Sequence, residues 1–80
     1  MGFQVQVGDQ LFLEEGGEEI GAVRKVTPDH LVVYIEGAGD FTVPGPWVRA
    51  VHYGKVVLDR EKVDERLLAA ATAAHERETD

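Results

Sequence analysis

Apolar and polar residues alternate along most of the first 58 positions, and Gly, Pro or Asp cuts the rhythm at intervals of roughly eight to twelve residues. Phe3, Val5 and Val7 alternate with Gln4 and Gln6, which predicts a half-buried strand. Gly8-Asp9 interrupts it. Leu11 and Leu13 then resume on one face, with Gln10, Phe12 and Glu14 on the other. Glu15-Gly16-Gly17-Glu18 predicts a hairpin connection, because glycine takes positive φ without steric cost. The next strand covers residues 20–26. Gly21 inside it marks a bend, a bulge or a close backbone approach, and a small barrel needs bends to close.

Thr27-Pro28-Asp29 is a turn, since proline presets φ and aspartate bonds to nearby N–H groups. Leu31, Val33 and Ile35 line one face of a strand over residues 30–36, with Val32 and Tyr34 on the other. Gly37-Ala38-Gly39-Asp40 reverses the chain, and Phe41 to Val43 form a short strand ended by Pro44-Gly45-Pro46. A strand over residues 47–53, a tight turn at Gly54 and a strand over 55–58 complete the pattern. Val48 and Val51 both look like core residues but differ in parity, which predicts a bulge between them.

From Asp59 the period lengthens. Asp59 is the expected N-cap of a helix over residues 59–78, with Glu61 in its first turn. Val63, Leu67, Ala70, Ala71 and Ala74 form a narrow apolar stripe, with Leu68 at its edge. Arg60 with Asp64 and Lys62 with Glu65 are spaced to pair on its surface, while Glu76, Glu78 and Asp80 oppose the helix dipole and favour fraying. The whole predicts a mainly β chain: a small antiparallel barrel or roll of about six short strands over residues 1–58, then one C-terminal helix. That helix packs on the barrel or on a partner subunit. The small residues at 69–74 would let it approach a second copy closely, giving a homodimer.

Eighty residues suffice for one domain, which buries about 60% of the surface its unfolded chain exposes. There is no cysteine, so neither a disulfide nor a thiolate site reinforces it, in keeping with a cytoplasmic protein. The first residues lack the basic and apolar regions of a signal peptide, and Gln6 stands where a myristoylation motif has Ser or Thr. No apolar run approaches the ~20 residues of a membrane span. Fifteen acidic against eight basic residues give a formal charge of −7, which weighs against nucleic-acid binding and serves solubility.

Gly8-Asp9 with Leu11, the run from Gly16-Gly17-Glu18-Glu19 into Ile20-Gly21-Ala22-Val23, Val43-Pro44 with Trp47-Val48, and Lys55-Val56-Val57-Leu58 together resemble a PRC-barrel domain. The likeness covers roughly residues 7–58 and is greatest to small stand-alone bacterial versions of unassigned function. It implies a β-barrel that serves protein or ribonucleoprotein contacts, hence an interaction or assembly module and not an enzyme. It carries no catalytic residues and no cofactor.

Among candidate sites, Trp47, Arg49 and Tyr53 share one parity on their expected strand, as Val32 and Tyr34 do on theirs. Facing outward, Tyr34, Trp47, Arg49 and Tyr53 would form an aromatic and basic patch for a protein partner. The competing arrangement packs Trp47 against the helix stripe and lays Tyr34 over a barrel end. His30, His52 and His75 have no helical i, i+4 spacing, so a metal would require them to converge through the fold, with Asp29 or Asp40. The glycines at 37 and 39 imitate a phosphate loop but lack its lysine and its helix, so a hairpin is expected there. RNA binding would need Arg24, Lys25, Arg49 and Lys55 on one face, and an enzyme or ligand binder would need a closed pocket with converging polar groups.

Overall fold

Among the described residues six strands form in chain order: β1 (Gln10–Phe12), β2 (Glu19–Val26), β3 (His30–Ile35), β4 (Gly39–Pro44), β5 (Val48–His52) and β6 (Lys55–Leu58). One turn of 3-10 helix, Gly45–Trp47, links β4 to β5, and α1 (Glu65–Glu78) follows β6. These come from a computed structural model describing residues 4–78, with side chains as far as residue 73. The expectations for Phe3 and Asp80, and those for the side chains of Ala74, His75, Glu76 and Glu78, lie outside the described residues. The architecture is mainly β, a curled half-barrel with one C-terminal helix.

The strand order is β4-β3-β2-β1-β6-β5. Neighbours are antiparallel except β1 and β6, which run parallel with Leu11 opposite Val56. The expected small barrel or roll with one helix is found as a curled, mixed sheet whose edges among the described residues are β4 and β5, the parallel β1–β6 pair being its one departure from antiparallel. The cause lies at Pro44-Gly45-Pro46. That segment winds into a 3-10 turn with proline near its start. It sends β5 onward in the sense of β4, so the β5–β6 hairpin returns β6 parallel to β1.

Leu31, Val33 and Ile35 are fully buried on one face of β3, and Val43, Leu11, Val23, Val56 and Leu58 meet them there. Each such burial contributes roughly 1.5–3 kcal/mol. Val63, Leu67, Ala70 and Ala71 close the open side of the sheet, so the helix stripe packs on its own barrel. The ladder shifts register at Ile20 in β2 against β1, at Arg24 in β2 against β3 and at Arg49 in β5. The last shift lets Val48 and Val51 both turn toward the core. Gly21 borders the first shift and is also a close approach, since a Cβ built there overlaps the Tyr34 carbonyl oxygen.

Two boundaries differ from expectation. Val5 and Val7 lie in no strand: residues 6–9 form a turn in which the Asp9 N–H donates to the Gln6 carbonyl (3.1 Å), with Gly8 at φ +96°. The Gly8 N–H then donates to Val23 (2.8 Å), which leaves Val7 facing solvent. The helix begins at Glu65, not after Asp59. Asp59 caps only a local turn, accepting the Glu61 N–H on its side chain (3.0 Å) and the Lys62 and Val63 N–H groups on its carbonyl. Asp64 is the true cap, its Oδ1 accepting the Leu67 N–H at 2.9 Å. Arg60 reaches Glu14 (3.2 Å), not Asp64.

Two substitutions check this packing by chemical denaturation. Gly21→Ala drives a methyl into the Tyr34 carbonyl and is expected to cost about 3 kcal/mol; an unchanged midpoint would contradict the close approach. Asp64→Ala is expected to cost about 1 kcal/mol as loss of a helix cap, and a larger loss from Asp59→Ala would return the helix start to residue 59.

Candidate functional site

The four residues expected to form a patch occupy different parts of the half-barrel. Tyr34 lies on β3, separated from β5 by β2, β1 and β6 in the strand order. Its ring carries the Arg24 guanidinium 5.5 Å from its centroid, and Arg24 also meets Asp40 at 3.5 Å. That three-strand cluster is satisfied within itself. Trp47 is in the 3-10 turn, not in a strand; it is half-buried, packs against the core, and accepts the Asp59 N–H on its carbonyl (2.7 Å). Arg49 is exposed at the β5 bulge. Tyr53 stands in the turn between β5 and β6. The parity argument joining Trp47, Arg49 and Tyr53 therefore fails, because neither Trp47 nor Tyr53 is in the strand and the bulge breaks its rhythm.

Tyr53 is unusual on its own account. It is 105% exposed, and its φ of +36° is the one positive value outside glycine among the described residues. With Gly54 at φ +82° it forms a two-residue turn with positive φ at both centres, a geometry that favours Asn-Gly or Asp-Gly. A bulky aromatic in the left-handed region costs about 1–2 kcal/mol. Here it also gains no burial in return.

A second turn adjoins this one. The Gln10 N–H donates to the Gly54 carbonyl (2.8 Å), tying the 53–54 turn to the chain just after the 6–9 turn. The latter is fixed by the Gln6 N–H on Asp9 Oδ2 (2.9 Å) and by the Val23 N–H on the Asp9 carbonyl (2.9 Å). Val7, 66% exposed, is presented by the 6–9 turn and Tyr53 by the 53–54 turn. An open cleft of 640 Å³ lies at this end, lined by Gln4, Gln6, Asp9, Val51, His52 and the 53–54 turn. His52 Nε2 is held 3.0 Å from Glu15 Oε1. The arrangement sets the exposed Tyr53 ring at a mostly polar cleft, with exposed Val7 on the adjoining 6–9 turn, a surface suited to contact with another protein. Sequence reasoning placed Tyr53 in a strand and missed Val7. The dipeptides Tyr53-Gly54 and Val7-Gly8 carried the turn signal.

The remaining candidates are dispersed. His30 Nδ1 meets Asp29 at 2.7 Å and Thr27 Oγ1 at 2.9 Å, His52 lies with Glu15, and Asp40 turns to Arg24. Among the described residues no three His, Asp or Glu side chains converge as metal ligands. Gly37 and Gly39 belong to the hairpin between β3 and β4. Arg24 and Lys25 are on β2, Arg49 on β5, and Lys55 on β6 above the Phe12 ring (5.6 Å). A smaller groove of 340 Å³ lies between the β1–β2 connection and α1, with Leu13, Ile20 and Ala71 at its floor and the Glu14 and Arg60 pair at its rim. No helix among the described residues is long and apolar enough to cross a membrane.

Asp29 is the described group with a resolved shift. Hydrogen bonds from His30 first, then Thr27, hold its carboxyl below the ordinary 3.8. A depressed carboxylate contributes stability above its unfolded value and loses it as pH falls through the folded value. The affected window therefore lies below pH 3.8. An NMR titration of the Asp29 side-chain carboxyl is expected to give a midpoint under that value, rising toward it in His30→Ala. A midpoint at or above it in the wild type would contradict the clasp.

No protein-family model matches this chain, and neither does any curated protein or solved structure.

Proposed function

We propose that this protein is a non-enzymatic interaction or assembly module of the PRC-barrel type, working in the cytoplasm and binding a protein partner through its exterior. The observation that carries this reading is Tyr53. A stable two-residue hairpin turn would favour Asn or Gly at that position. Instead the chain keeps a fully exposed aromatic ring in a strained conformation, at a rigid end it shares with exposed Val7. Strain retained at a surface site points to a role in binding. Tyrosine suits that role because it offers a large amphipathic contact with few rotors.

Several features support the same reading. The motifs over residues 7–58 resemble the PRC-barrel pattern, and a curled six-stranded sheet is the kind of architecture that pattern would give. The formal charge of −7 opposes a phosphate-rich partner. Arg49 is exposed at the β5 bulge, near the end of that strand away from the 53–54 turn. Trp47 and Tyr34 serve the fold and the Arg24 cluster, so the contact centres on Tyr53 and not on the four residues together.

Tyr53→Asn separates binding from folding. The variant is expected to be more stable than the wild type by about 1 kcal/mol, through relief of the left-handed strain. It is also expected to lose the partner in a quantitative affinity capture from source-cell lysate. A captured set unchanged by Tyr53→Asn, or one dominated by RNA, would overturn the reading.

A further inference from the structure

We propose that the outer edge of β4 pairs with the same edge of a second copy of this chain, antiparallel and centred on Phe41, joining two half-barrels into one continuous sheet.

The two edges of the sheet differ in kind. β5 is short, bulged at Arg49 and carries that exposed charge, all of which discourage strand addition. β4 is one residue longer than β5 and has no bulge against its neighbour. It keeps one-to-one register with β3 over all six residues. Its single charge, Asp40, is already engaged by Arg24 at 3.5 Å.

The direction of its backbone groups follows from His30. Both the N–H and the carbonyl of His30 are taken by Thr27, on the β2 side of β3. Backbone groups in an antiparallel ladder alternate sides. Val32 and Tyr34 therefore also bond toward β2, while Leu31, Val33 and Ile35 bond toward β4. Their partners Val43, Phe41 and Gly39 face back to β3. That leaves Asp40 and Thr42 with N–H and C=O turned outward, and Pro44, which has no N–H, in the same outward set.

This edge is complementary to itself. With the two-fold axis at Phe41, Asp40 lies opposite the second copy's Thr42, and each such pair exchanges both backbone bonds. Phe41 lies opposite Phe41 in the closer, non-bonded spacing, where cross-strand aromatic pairs are favourable. Phe41 is only half-buried in one copy although it packs on the core, so pairing would complete its burial. No like charges lie directly opposite one another, and the two Asp40 carboxylates, diagonal across the axis, are each paired with their own Arg24. The contact is far smaller than the roughly 20–30 residues a side of a standard interface, so the dimer is weak and forms at high concentration.

The test is sedimentation velocity on the full chain from micromolar to millimolar concentration, with four variants checked for fold by far-UV dichroism. The wild-type mass is expected to rise from 8.8 kDa toward twice that value. Thr42→Asp sets carboxylates opposite one another twice per dimer and is expected to weaken association about tenfold; Thr42→Lys sets opposite charges there and tightens it by a similar factor. Thr72→Asp and Thr72→Lys, exposed on α1, make the same changes of net charge and are expected to leave association unmoved. Amide exchange at Asp40 and Thr42 slows as concentration rises. A mass fixed at 8.8 kDa throughout would overturn the proposal. So would parallel responses of the position 42 and position 72 variants.

Discussion

The structure depends on a seam three residues long. β1 accepts β2 on one side and β6 on the other, and through it the β2-β3-β4 block becomes one sheet with the β5-β6 hairpin. Leu11 at its centre is fully buried and points into the joint core with Val23 and Val56. An isolated hairpin such as β5-β6 is marginal in water. It gains stability here by pairing with β1 and by placing Val56, Val57 and Leu58 out of solvent. Helix α1 then covers the aliphatic side chains that the curled sheet leaves open.

The same seam positions the surface to which binding is assigned. The bond from the Gln10 N–H to Gly54 and the bonds between residues 8–9 and Val23 lock two tight turns side by side on one end of the sheet. Tyr53 and Val7 are consequently presented from backbone hydrogen-bonded into the sheet. A projecting ring on a rigid turn loses little further entropy when it is buried by a partner. The cost of holding Tyr53 at positive φ is met by the cooperativity of the sheet, a common arrangement for local strain.

Much of this was legible in the chain. Leu31, Val33 and Ile35 alternate without interruption between a Pro-Asp turn and a Gly-rich turn, so their strand and its inward face could be read directly. Lys55–Leu58 was equally plain, and the conflicting parities of Val48 and Val51 announced the bulge at Arg49. Other elements failed for definable reasons. Val5 and Val7 alternate, but a period of two over three positions does not distinguish a strand from a segment leading into a turn. Asp59 and Asp64 both satisfy the chemistry of an N-cap, and Val63 falls on the helical stripe although it precedes the helix. The parallel β1-β6 pairing depends on the direction in which the 3-10 turn releases the chain, which periodicity does not encode. Trp47, Arg49 and Tyr53 do not share one strand face, because parity was carried through the bulge and beyond the strand's ends.

The most direct measurement is native-state amide exchange at Leu11 and Phe12, compared with Val33 in β3 and Val56 in β6. If the seam unites the sheet, the β1 amides exchange only through global unfolding, with the same free energy as the two reference sites and the same dependence on denaturant. Exchange at β1 and β6 through an opening of much lower free energy, while β3 remained protected, would mean that the hairpin bearing Tyr53 detaches by itself. That result would contradict the account.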